Sequence, residues 1–165
     1  MRIVPWTQIQ SWNCVRCGLC CRHYDIVLKL PEWLTIVKSF GPEFTSPNMT
    51  KFLLRRRQDG SCAFLHGASN TSVCRLQHMK PMACKLWPFK VLDRPKYGEA
   101  ESSIYNYRGH GLFVYVDKNC TGLRLGTPTP EFSHSVIPEF VEIALGIRQN
   151  QYKSTSLLGL RLRSF

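Results

Sequence analysis

The chain has no long uninterrupted hydrophobic run. Its most apolar stretches, Gly111–Val116 and Val136–Ile147, fall short of the roughly 20 residues that a membrane helix needs, and Pro138, Glu139 and Glu142 break the second. A membrane span is therefore not expected. Met1–Gln10 offers neither a continuous apolar segment nor a small-residue cleavage site, so no secretory leader is expected either. Nucleotide and protease signatures are missing too: no G-x-G-x-x-G follows a strand-like run, and neither G-x-x-x-x-G-K-[ST] nor H-E-x-x-H occurs. The C-x3-C-x2-C spacing of radical enzymes that use S-adenosylmethionine is also absent, as is any internal repeat.

Acidic residues are scarce. Eleven Asp and Glu stand against 22 Lys and Arg, giving a formal net charge of +11. Such an excess suits an acidic protein partner, an anionic substrate or nucleic acid, although no nucleic-acid motif accompanies it. Arg55-Arg56-Arg57 is the densest basic run, and alternation along a strand would leave it as a solvated edge that resists strand-to-strand association.

What the chain does have is cysteine, eight in 165 residues, on a background that is 44% apolar and long enough for one domain with a real core. Without a leader, a cytoplasmic protein is expected. In a reducing compartment so many thiols point to metal or redox chemistry rather than to a disulfide framework. If all eight bind as two centres of four thiolates, each centre carries about −2 and the net charge falls to about +7.

Pattern and punctuation give a coarse map. Tyr24–Leu30 is partly alternating and β-branched, which predicts a strand; Glu32–Phe40, entered through Pro31 and stopped by Gly41-Pro42, predicts a helix. Lys51–Arg57 and Ser61–His66 flank Gln58-Asp59-Gly60, a hairpin signal. Ser102–Tyr107 and Leu112–Asp117, joined by Arg-Gly-His-Gly, predict a second hairpin. Val136, Phe140, Ile143, Ala144 and Ile147 recur at helical spacing, so an amphipathic helix is expected there. The expected organisation is a cysteine-cluster metal-binding domain over residues 1–150, followed by a basic C-terminal tail over 151–165.

Cys14-x2-Cys17-x2-Cys20 sets three thiols in one tight turn, the spacing with which bacterial ferredoxins hold three irons of a cubane cluster. Cys21 follows directly. Adjacent side chains diverge in a helix or a strand, so Cys20 and Cys21 are expected to serve two centres or to play unequal parts in one. Cys62, Cys74, Cys84 and Cys120 complete the inventory. The second set lacks a C-x2-C knuckle, which favours an iron–sulfur cluster, one or two and of the [4Fe-4S] kind, over zinc. Zinc remains the alternative, because Cys62-x3-His66 and Cys74-x3-His78 offer mixed ligand sets. His23, His110 and His134 have less claim. Trp87, Phe89, Tyr105 and Tyr107 are expected to pack rather than to stack on bases.

Cys14-Val-Arg-Cys17-Gly-Leu-Cys20-Cys21, Cys62-Ala-Phe-Leu65, Cys74-Arg-Leu and Lys80-Pro-Met-Ala-Cys84-Lys-Leu-Trp-Pro88-Phe89 together resemble the YkgJ-like cysteine-cluster family, the CxxCxxCC zinc- or iron-chelating domain. Cys120 with Gly122 is similar to the Cys-x-Gly element that often follows. Lys80 stands where the family usually has Arg, keeping the charge but losing the planar fork. The resemblance implies metal binding, with relatives often described as iron–sulfur oxidoreductases. Flagellin lysine N-methylases have a similar cluster, but most of their chain has no counterpart here.

The expectation is thus a small α+β domain in which short antiparallel strands and two helices surround a cysteine-ligated metal site. All eight cysteines are candidate ligands. A redox or electron-transfer role comes first, and a zinc-stabilised module that binds an acidic protein or nucleic acid is the alternative.

Overall fold

The computed structural model describes residues 2–67, 72–76, 79–149 and 151; His78 and almost all of the expected basic tail lie outside them. In chain order the elements begin with β1 (Ile3–Pro5), β2 (Ile9–Trp12), α1 (Leu19–His23), β3 (Val27–Leu28), α2 (Leu30–Phe40) and β4 (Phe52–Leu53). Next come β5 (Leu65–His66), β6 (Val73–Cys74), α3 (Met82–Leu86), β7 (Phe89–Leu92) and α4 (Ala100–Ser103). The series closes with β8 (Ile104–Tyr107), β9 (His110–Asp117), β10 (Leu123–Leu125) and α5 (Ile137–Ala144). The fold is α+β with antiparallel pairings, as the sequence predicts. No helix among the described residues is long and apolar enough to cross a membrane.

The chain groups into two units, residues 1–15 with 86–165, and residues 16–85. The first is organised by β9. Its residues Val114–Val116 are completely buried, and since successive side chains point to opposite faces, both faces of the sheet are covered there. One edge of β9 carries β7 from Phe89↔Val116 to Leu92↔Phe113. The other is shared by β8 and β1. The predicted second hairpin is present but tighter than expected, β8 turning into β9 through Arg108 and Gly109 alone, at φ 50° and 83°. Two successive positive φ values mark the turn whose twist matches antiparallel strands. On this sheet, α5 buries Ile137, Phe140, Val141 and Ile143, and the chain enters it through a wide helical turn at Phe132–Val136. The Phe140 ring lies 3.9 Å from that of Phe89 and 5.2 Å from that of Trp12. β2 and β10 form a separate ribbon with Trp12 opposite Leu123.

In the second unit α2 starts two residues earlier than the pattern predicts. Pro31 fits the first turn, where its missing N–H costs nothing, and this draws in Leu30 and shortens the predicted strand to Val27–Leu28. The first predicted hairpin is only partly formed. Its turn is in place, since the Asp59 carboxylate accepts both the Ser61 N–H and the Ser61 hydroxyl. Its ladder is a single bridge, Arg56↔Cys62, because β4 pairs with β3 and β5 with β6 instead. The core is Leu28, Ile36, Leu54, Cys62, Phe64, Leu65 and Leu76, with Phe44 stacked on Phe64 at 5.0 Å. Beyond the two predicted helices, α1 and α3 form as single short turns, and these carry Cys20, Cys21 and Cys84.

Candidate metal centre

The cysteine turn is built on Gly18. It sits at φ 74°, and a Cβ added there would meet the Ser72 hydroxyl oxygen at 2.6 Å, so glycine meets both the conformation and the close approach. Across that contact the Ser72 N–H reaches the Arg16 carbonyl at 3.1 Å, drawing the β6 segment against the turn. The Cys21 N–H bonds the Gly18 carbonyl at 3.0 Å, and the Cys62 N–H bonds the Cys21 carbonyl at 2.8 Å. Cys62 thus docks on the helix that carries Cys20 and Cys21. Cys74 lies opposite Leu65 in the β5–β6 pair. Cys21 and Cys74 both pack against the same apolar cluster that contains Cys62.

The Cys20 and Cys21 sulfurs do not diverge. They stand 3.9 Å apart within hydrogen-bonding reach, an approach that rotation about the Cα–Cβ bonds allows even to neighbouring residues. This corrects the expected divergence of the two side chains, and the opposite shifts of the two thiols are those of unequal partners. The Cys20 thiol is lowered to about 7, first by the hydrogen bond from Cys21, against the effect of burial, and with help from the Lys80 ammonium. Cys21 is pushed far up by holding that shared proton, by burial, and by the charges of Cys20, Cys74 and Cys84.

Burial is the main reason that Cys62, Cys74 and Cys84 are also raised. Like charge adds to it: Cys84 feels Cys74, Cys62 and Cys20, Cys74 feels Cys62 and Cys20, and Cys62 feels Cys20. Charge on Cys20 and its neighbours therefore opposes ionisation of Cys21, Cys62, Cys74 and Cys84, while Lys80 acts favourably on Cys20, Cys74 and Cys84. A bound cation relieves this repulsion, and thiolate-rich sets select zinc or iron–sulfur centres. The donor chemistry fits a metal. Among the described residues, no three His, Cys, Asp or Glu side chains already converge as a finished ligand set.

Cys14 and Cys120 both belong to the first unit, where each packs against the apolar cluster containing Trp12. The Trp12 indole N–H donates to the Cys120 sulfur at 3.4 Å. The Asn13 N–H bonds the Gly122 carbonyl at 3.0 Å, and a Cβ on Gly122 would lie 2.0 Å from the Asn13 carbonyl oxygen. Gly122 is therefore the residue that lets the two chains pass. Cys17 occupies the turn ahead of Gly18, in the second unit. No disulfide forms among the described cysteines.

Four histidines of the described residues, His23, His66, His110 and His134, are exposed. His66 follows Leu65 in β5, and alternation turns it to the face opposite Leu65 and Cys74. Phe89 is buried in the first unit's core, and the Tyr105 and Tyr107 hydroxyls bond the Ser133 carbonyl and the Glu142 carboxylate.

Sequence reasoning missed the groups that hold the thiol segments in place. Arg56 is not a solvated edge residue. Its guanidinium pairs with Asp25 at 2.7 Å, bonds the Arg22 carbonyl in α1 at 2.9 Å and also reaches the Gly60 carbonyl. Arg57 bonds the Ala63 and Leu65 carbonyls at 2.8 and 2.7 Å, bracketing the loop after Cys62. The Arg run was visible in sequence, but nothing there told that several donors on each fork would be spent on carbonyls.

A family model described as CxxCxxCC, putative zinc- or iron-chelating domain, matches residues 13–121. No curated protein matches the chain, and no solved structure does.

Proposed function

Since the chain belongs to the CxxCxxCC family of zinc- or iron-chelating domains, we propose that its thiol group holds an iron–sulfur centre and serves electron transfer or an accessory redox step. Family membership supports metal binding by the cysteine cluster. The observation that carries the finer reading is the placing of Cys20, Cys21, Cys62, Cys74 and Cys84 in one unit, with the Cys20 and Cys21 sulfurs 3.9 Å apart, the Cys62 N–H on the Cys21 carbonyl, and Cys21 and Cys74 packed on the cluster that contains Cys62. Sulfur is their only donor atom, and a soft, sulfur-only set is the habitual ligand field of iron–sulfur clusters. Four of the five suffice for a cubane or a two-iron cluster, and the fifth then lies against the cluster, where hydrogen bonding tunes its potential. Because the unfolded chain lacks such a set, binding energy doubles as folding energy. Cys14, Cys17 and Cys120 remain candidate ligands, with Cys14 and Cys120 as the start of a second site. The basic surface suits an acidic redox partner.

Zinc is the second reading, and one distance favours it. A ZnS4 tetrahedron with Zn–S bonds of about 2.3 Å has edges of about 3.8 Å, close to the 3.9 Å between Cys20 and Cys21. Thiolates on different corners of a cubane stand farther apart, since each binds its own iron. Anaerobic purification with iron, sulfide and zinc analysis separates the readings. Iron and sulfide in equal amounts, with visible absorption that dithionite bleaches, supports the first; zinc alone, colourless and redox-silent, overturns it.

A further inference from the structure

Glu32 belongs to no cysteine motif, yet its carboxylate joins two helices of the second unit. One oxygen accepts the Lys29 N–H at 2.8 Å, closing the first turn of α2. The other accepts the Met82 N–H at 2.7 Å, fifty positions along the chain. That second bond lies at the start of α3, where Pro81 has no N–H of its own and its carbonyl accepts from both Cys84 and Lys85 at 3.0 Å. The turn that carries Cys84 is a single helical turn, too short to hold its own orientation by cooperativity. Through Glu32 it is tied to α2, an eleven-residue helix that buries Ile36 in the unit's core.

We propose that Glu32 is the positioning residue for Cys84, setting where its sulfur stands relative to the other thiols by fixing the first N–H of α3. The inference rests on the reading of Cys84 as a metal ligand. A charge-assisted pair of hydrogen bonds to backbone N–H groups is stronger than neutral ones. An amide in its place accepts at one N–H and presents a donor to the other. Outer residues that orient ligands typically change metal affinity 10–100-fold.

The test loads the metal-free full chain with Co2+ and follows the sulfur-to-cobalt charge-transfer absorption, together with the rate of cobalt transfer to a chelator. Four chains are compared: wild type, Glu32→Gln, Cys84→Ser and the double variant. The expected result is a transfer rate about tenfold faster in Glu32→Gln, with the charge-transfer intensity reduced as in Cys84→Ser. In the double variant, adding Glu32→Gln to Cys84→Ser changes the rate less than twofold, because the side chain it positions is gone. Additive effects, or far-UV circular dichroism that falls in Glu32→Gln whichever residue stands at 84, make Glu32 a general structural residue and overturn the inference. A Cys84→Ser variant that keeps wild-type absorption and rate removes Cys84 from the ligands, which defeats the reading beneath. Absence of cobalt uptake by the wild type removes the site and the inference with it.

Discussion

The sulfurs of Cys20 and Cys21 share one hydrogen bond across 3.9 Å, although the residues are neighbours in the chain. Cys62 is hydrogen-bonded through its N–H to the Cys21 carbonyl at 2.8 Å. The two sulfurs and the Cys62 backbone thus belong to one locus before any metal is considered. Cys20→Ser and Cys21→Ser are therefore expected to weaken the same centre. Each should speed metal loss to a chelator at least tenfold, about 1.4 kcal/mol, and the double variant should fall well short of the product of the two effects. Independent, multiplying losses assigned to different metals would show that the two residues serve separate centres.

Two glycines separate conformational strain from crowding. Gly60 has φ 77° with nothing within 4 Å of an added Cβ, so Gly60→Ala is expected to cost only the left-handed penalty, about 1–2 kcal/mol. Gly122 takes no left-handed conformation, but its Cβ would sit 2.0 Å from the Asn13 carbonyl oxygen, which is backbone and cannot swing aside. Gly122→Ala should cost more, about 2–3 kcal/mol or beyond, by forcing β2 and β10 apart. Urea denaturation of the two variants gives the ranking, and the reverse order would contradict it.

Arg56→Ala removes a guanidinium that ties α1 to the turn before Cys62 through the Arg22 and Gly60 carbonyls, and that pairs with Asp25. The expected loss is about 1–3 kcal/mol in the metal-free protein. Arg56→Lys should recover less than half of it, since one ammonium cannot span acceptors on two segments as the fork does. The denaturation midpoint of each variant decides, and full recovery by lysine would mean that only the charge matters.

The first unit carries a pH dependence of its own. Burial alone would raise the Glu142 carboxyl, but hydrogen bonds from Arg148 and from the Tyr107 hydroxyl outweigh it and hold the group below the usual carboxylate range. A folded value below the unfolded one means that the unfolded chain binds the proton more readily. The stabilisation is then fully present above the unfolded value, near pH 4 to 5, and is lost as pH falls through the folded value. Thermal midpoints between neutral and acid pH should drop more steeply for wild type than for Glu142→Gln. Equal slopes would remove Glu142 from the acid response.

Much of this was legible in the sequence, and the misses have physical causes. β9 and α5 announced themselves because a long apolar run and a clear helical period leave few alternatives. The cysteine spacings pointed to the chelating family whose model matches residues 13–121. The helices that carry Cys20, Cys21 and Cys84 were not visible, since five residues span too little of a helical period to show one. The pairing of β4 with β3 was missed because the local Asp59-Gly60 turn signal says nothing about Val27–Leu28, far back in the chain. The approach of the Cys20 and Cys21 sulfurs depends on side-chain rotation, which backbone periodicity does not contain. Glu32 looked like an ordinary acid in the first turn of a helix, and its second partner, Met82, is a tertiary contact.

X-ray absorption at the edge of the bound metal reads the ligand atoms whatever the metal is, and so decides whether the thiols hold it. The expected ligand shell is sulfur alone, at about 2.3 Å for zinc or iron, supplied by thiols from the set Cys20, Cys21, Cys62, Cys74 and Cys84. A shell in which imidazole nitrogen or carboxylate oxygen makes up half of the ligands would contradict it.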